Sequence, residues 1–184
     1  MGVSTREAVD TLLGDVEQLL DGWLMEPEGF GGRGRMRERT FVLPGFERRF
    51  SKGLSLPCAR HSEVPPCIRQ AVETVAGATA RRMPQSLMAR LVFGGWQISV
   101  AKANVDRGEH YDNVWIGDCI ITITLQGNGV VTIYHSDGVQ KNGLRTEAVQ
   151  QPLDYYAIFG TDLKPATHAI QAGPAGRVSI TLRF

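Results

Sequence analysis

The sequence predicts an α+β protein: a jelly-roll-like set of short β-strands with N-terminal helices packed against it. Two observations predict it. Apolar residues recur at helical spacing in the first half of the chain, and from about residue 90 their period becomes two. That second half divides into candidate strands 97–104, 119–125, 129–135, 145–150, 154–160, 166–171 and 176–184, which suits a sheet sandwich or open barrel. At 184 residues, 42% apolar and 21% charged, the chain is sized for a single folded domain and is not a disordered one. Residues 1–90 are expected to form a lid and support region, and 91–184 the strand core.

The first helix is predicted over about residues 5–24. Ser4-Thr5-Arg6-Glu7 can act as a capping box, and Val9, Leu12, Leu13, Val16, Leu19, Leu20 and Trp23 follow at helical spacing. Residues 26–37, rich in Gly and Arg, read as a loop. Thr40 to Lys52 reads as irregular chain or short strands broken by Pro44 and Gly45. Pro65-Pro66 opens a second helix whose buried stripe is Ile68, Ala71, Val72 and Val75, and Pro84 closes that region. Asn128-Gly129 is a hairpin signal between two of the strands.

Net charge is +1, so no overall field points to nucleic acid or membrane. Locally, residues 33–52 carry seven Arg or Lys against Glu38 and Glu47. Cys58, Cys67 and Cys119 are too few and odd in number for a disulfide framework, which fits a reducing compartment. No secretory leader and no bilayer-spanning stretch is read from the sequence, so a cytoplasmic or nuclear location without membrane association is expected.

The chemistry centres on four histidines: His61, His110, His135 and His168. His110-Tyr111-Asp112 puts an imidazole and a carboxylate two residues apart, which on a strand share a face. With His168 on a later strand, the three could form the two-histidine, one-carboxylate set that leaves open positions on a non-haem iron. Taken alone, His-x-Asp is a weak signal and is more often a surface loop ion pair. In the last strand Val178, Ile180, Leu182 and Phe184 alternate with Arg177, Ser179, Thr181 and Arg183. Either the polar face meets water, or both arginines point inside and need an anion, such as a dicarboxylate. Cys58, His61 and Cys67 fall one ligand short of a structural zinc site. Cys119 reads as core, and His135 as a loop or rim residue.

This order of His-x-Asp, distal His and Arg-x5-Arg resembles the AlkB-like dioxygenases. His110 to Leu125, and Leu153 to Phe184 with its Arg-Val-Ser-x-Thr-x-Arg ending, carry the resemblance. It covers about residues 95–184 and only loosely the first half. The resemblance implies a double-stranded β-helix with iron(II) held by His110, Asp112 and His168. It implies 2-oxoglutarate gripped by Arg177, with Arg183 and Asn104 nearby, and O2 as oxidant. The family has a tyrosine two residues after that asparagine, where this chain has Asp106, so Tyr134, Tyr155 and Tyr156 are the substitutes considered. The implied reaction is oxidative N-demethylation of a base in single-stranded or flipped-out nucleic acid, releasing succinate, CO2 and formaldehyde. A protein, small-molecule or 5-methylcytosine substrate, or a metal-binding barrel without turnover, are the alternatives.

Overall fold

The computed structural model describes residues 4–20, 36–48, 58–89, 91–110, 119–136, 141–159 and 167–184. Helix α1 (Thr5–Gly14) starts at the expected capping box, in which Ser4 and Glu7 satisfy each other's backbone amides. The predicted 20-residue helix is broken at Asp15, and α2 (Val16–Leu20) follows as a separate short helix. Gly14-Asp15 explains the break, since both residues are poor helix formers; Trp23 lies outside the described residues. Helix α3 (Pro66–Ala80) begins with proline in its first turn, where its missing N–H costs nothing, and α4 (Gln85–Met88) is one further turn.

The strands are β1 (Met36–Val42), β2 (Ala59–Arg60), β3 (Gly95–Ala101), β4 (Asp106–His110), β5 (Cys119–Ser136), β6 (Lys141–Gln150), β7 (Tyr155–Phe159) and β8 (Thr167–Arg183). They form an eight-stranded sheet of order β2-β1-β3-β8-β5-β6, with β4 joined to β8 and β7 to β5. Two long strands run through both halves of it. Residues 177–183 of β8 pair with β3 and with residues 120–127 of β5, while residues 167–172 pair with β4 and with 129–134 of β5. The sheet therefore bends into two layers, a jelly-roll sandwich, as the alternating pattern led us to expect.

The bend corrects two sequence expectations. Asn128-Gly129 is not a hairpin turn, and 166–171 and 176–184 are not separate strands. Both segments of β5 bond to β8 rather than to each other. At the corner Gly127 and Gly176 take φ of +75° and +76°, and a Cβ on Gly127 would lie 2.1 Å from the Gly176 carbonyl oxygen. Only glycine permits both the backbone conformation and the close crossing.

A seven-residue strand, β1, also occupies chain expected to be loop and broken strand. It pairs antiparallel with β3 from Met36↔Ala101 to Val42↔Gly95. Two of its arginines tie it to α2: Arg37 Nη1 donates to Glu17 Oε2 at 2.6 Å, and Arg39 Nη1 to the Leu19 carbonyl at 2.9 Å. The core lies between the helices and the larger layer. It joins Leu12, Leu20, Ile68 and Val72 to Trp96, Ile98, Ile121, Ile123, Ile180 and Leu182. Among the described residues no helix is long and apolar enough to cross a membrane.

His61 is part of this core. Trp96 Nε1–H donates to its Nδ1 at 3.0 Å, so that nitrogen must be unprotonated. Burial holds the imidazole pKa below its ordinary 6.5, against the opposing pull of Glu73. A depressed histidine pKa contributes stability that is present above the unfolded-state value and lost as pH falls through the folded-state one. Chemical denaturation should show the protein losing stability as pH falls below the ordinary histidine value of 6.5. His61→Gln, whose amide oxygen can still accept from Trp96, should flatten that loss.

Candidate metal and anion site

β4 and β8 bring the two predicted histidine ligands together. His110 and His168 are direct cross-strand partners, and their ring centroids are 4.3 Å apart. His110 Nδ1 lies 2.8 Å from the Gly108 carbonyl oxygen, which can only accept. Nδ1 therefore carries the proton and Nε2 the lone pair, the tautomer a metal requires. Next to the pair, Thr167 Oγ1–H donates to the Glu109 carboxylate and fastens the two strands. Asp112 lies outside the described residues.

The alternation of β8 sorts its side chains between two environments. Val178, Ile180, Leu182 and Phe184 join the core beneath the helices. Arg177, Ser179, Thr181 and Arg183 line a cavity of about 550 Å³, open mouth included, between the two layers, together with His110 and His168. The last strand's polar face is thus interior. Arg177 and Arg183 are 6% and 4% exposed.

Arg177 donates from Nε to Thr124 Oγ1 at 3.1 Å and from Nη1 to Ser179 Oγ at 3.4 Å. Its Nη2 is buried with no hydrogen-bond partner among the described residues. Burial draws this guanidinium's pKa below its usual value, partly offset by the Tyr156 phenol. Arg183 Nη2 donates to Gln97 Oε1 at 2.7 Å. The cavity is lined by two buried cations and by hydroxyls from Ser99, Thr122, Ser179 and Thr181, donors that a small anion can use. Two imidazoles line the same space, one with its Nδ1 directed to a backbone carbonyl, and the donor type suits a metal; among the described residues no group of three His, Cys, Asp or Glu completes a metal site.

Asn104 is not brought to the cavity. It sits exposed in the β3–β4 turn at φ +57°, a conformation asparagine tolerates, and its backbone N–H donates to the Gly173 carbonyl at 3.1 Å. Its part is to turn the chain. Of the three tyrosines considered, Tyr156 lines the cavity, with its ring centroid 6.1 Å from that of His168. Tyr155 packs on the opposite side, beneath the Arg82 guanidinium. Cys58 is half-buried and Cys67 exposed, and His61 is engaged by Trp96. Cys119 is core, its thiol pushed up to about 11 by burial.

Sequence reasoning missed Gln97, Ser99 and Arg107 in the cavity wall and Glu38 beside them. The signal was present for two of them: Gln97 and Ser99 alternate with Trp96, Ile98 and Val100, the same polar-in pattern as β8.

No family model matches the chain, and no curated protein matches it. Among solved structures, oxalate decarboxylase of Lactobacillus farciminis in a formate complex aligns at 16% identity and a TM-score of 0.36 over 48% of this chain and 22% of that one. The Drosophila melanogaster CENP-C cupin domain aligns at 12% identity and 0.37 over 48% of this chain and 58% of that one. An oxalate oxidase in complex with the substrate analogue glycolate aligns at 10% and 0.38 over 48% and 39%. The aligned part spans less than two thirds of each of these proteins. The jelly-roll assignment rests on the strand order and register of this chain.

A cation buried on neutral partners opposes folding unless an anion joins it. Arg177→Met, of similar reach but uncharged, should therefore leave the ligand-free protein as stable or raise its stability by about 1 kcal/mol. Urea denaturation without added anions measures this.

Proposed function

We propose that this protein is an iron(II)- and 2-oxoglutarate-dependent oxygenase. One observation carries the reading: Arg177, a buried cation bonded to two hydroxyls, shares a cavity with two facing imidazoles. Metal ligands alone fit many barrels. The added anion site fits a cosubstrate that is a dicarboxylate.

His110 and His168 would hold the metal, with Asp112, two residues beyond His110, as the proposed third ligand. When bound, iron supplies O2 activation coupled to decarboxylation of 2-oxoglutarate to succinate and CO2. The chain's own residues bind and orient. Arg177 receives the distal carboxylate on Nη2 while Thr124 and Ser179 fix the plane of its guanidinium. Arg183 adds a second positive charge, held by Gln97. Val105, Ile170 and Ala172 give the cavity an apolar wall that limits water near the histidines.

For the prime substrate, the AlkB-like resemblance favours an N-methylated base in single-stranded nucleic acid. Part of the basic 33–52 segment is unsuited to contact phosphate, since Arg37 is paired with Glu17 and Arg39 with a helix carbonyl. Arg33, Arg35, Arg49 and Lys52 lie outside the described residues and are the cations proposed for that role.

The test is succinate formation from 2-oxoglutarate with iron(II) and O2, and formaldehyde release from methylated oligonucleotides. His110→Ala and His168→Ala should each lose metal and lower succinate formation at least about a hundredfold. Wild-type metal binding in both variants would remove the iron assignment. Arg177→Lys should weaken 2-oxoglutarate nearly as much as Arg177→Ala, because an ammonium does not reproduce the planar fork.

A further inference from the structure

A chain of side-chain hydrogen bonds joins the buried Arg183 to the cavity mouth, and its direction is fixed by chemistry. Arg183 can only donate, so Gln97 must turn Oε1 toward it, at 2.7 Å. The Gln97 amide nitrogen then faces Ser99 and donates to its Oγ at 3.3 Å. The Ser99 hydroxyl, already accepting, donates its O–H to Glu38 Oε1 at 3.2 Å, and a carboxylate can only accept. Arg107 Nη1 donates to the same oxygen at 2.6 Å. Every link runs toward Glu38.

The four elements involved make this more than a local network. Glu38 lies on β1 directly across from Ser99 on β3, and Arg183 pairs with Gly95 of β3 at the far end of the larger layer. Arg107 lies on β4, in the smaller layer, three residues before His110. The Glu38–Arg107 pair thus bridges the two layers beside the cavity, with side chains only 24% and 28% exposed.

We infer that Gln97, Ser99 and Glu38 are positioning residues for the anion site: Glu38 is the terminal acceptor that locks the Gln97 amide in the orientation that holds Arg183. The inference rests on the proposed anion-binding role of the cavity. Without Ser99 the Gln97 amide nitrogen has no acceptor on this path, and only the long bond from Thr40 Oγ1 to Oε1, at 3.4 Å, opposes the flipped orientation that sets N–H groups against Arg183. The ligand then meets a guanidinium that has lost one of the contacts fixing it in place. Replacing the Gln97 amide by a carboxylate has a stronger effect, because Arg183 gains an internal anion that competes with the ligand.

The experiment measures binding of four probes, 2-oxoglutarate, succinate, oxalate and sulfate, by calorimetry to the full chain and its variants. Mn(II) affinity and ligand-free melting temperature are measured alongside. Ser99→Ala should weaken the anion the parent binds most tightly by about tenfold. Gln97→Glu should weaken it by about fiftyfold or more, and Ser99→Thr, which keeps the hydroxyl, should stay within about threefold of the parent. Mn(II) affinity should be unchanged throughout. A purely structural role would lower melting temperature and leave these affinities alone, and that result overturns the inference. So does a parent that binds none of the four anions. If the parent binds succinate or sulfate in this variant-dependent way but not 2-oxoglutarate, the positioning role stands and the oxygenase reading fails.

Discussion

A guanidinium cannot shed its proton in a protein, so burying one commits the fold to supplying it with acceptors. Arg177 imposes that commitment here. It sits where β8 turns from one layer into the other, and Gly129 of β5 lies beneath its stem: a Cβ there would stand 3.1 Å from Arg177 Cδ. The glycines of the corner therefore serve two ends. They let two strands cross closely, and they open the space through which a long cation reaches the interior. Thr124 and Ser179 each offer a hydroxyl on the larger layer. What they leave is a cation short of an acceptor, facing the cavity that the histidines share.

The same strand carries the opposite duty on its other face. Ile180 and Leu182 are fully buried against α1 and α3 through the main core. Helix packing thereby holds the backbone from which Arg177 and Arg183 project. The two histidines depend on different support, the β4–β8 register and the Thr167–Glu109 bond, which belong to the smaller layer. The two buried arginines and the two histidines thus stand on separate layers, and the Glu38–Arg107 pair connects those layers.

Much of this was legible in the sequence because it follows from period alone. Strict alternation from Arg177 to Phe184 left only two orientations, and the helical stripe from Ile68 to Val75 identified one layer of the core. The alternation made Arg177 and Arg183 candidates for an interior face, while His110 and His168 were picked out by their spacing and by the AlkB-like resemblance. Other features depend on long-range pairing, to which local signals are blind. Asn128-Gly129 has the composition of a hairpin, and only the pairing of both flanks with β8 makes it a corner. Asn104 occupies the expected sequence position, yet its left-handed backbone places it in a turn. Glu38 and Arg107 are 69 residues apart and mean nothing until β1 and β4 are folded onto one cavity. Arg37 and Arg39 read as part of a free basic run because their partners, on α2, lie 20 residues away in sequence.

On the oxygenase reading one cavity would hold a metal and a dicarboxylate side by side, each improving the site for the other. Equilibrium binding of 2-oxoglutarate under oxygen-free conditions, with and without iron(II), tests it most directly. The account predicts saturable binding that tightens when iron(II) is present, and an equal tightening of iron(II) when 2-oxoglutarate is present, as linkage requires. Binding indifferent to iron(II), or no binding in either condition, would contradict it.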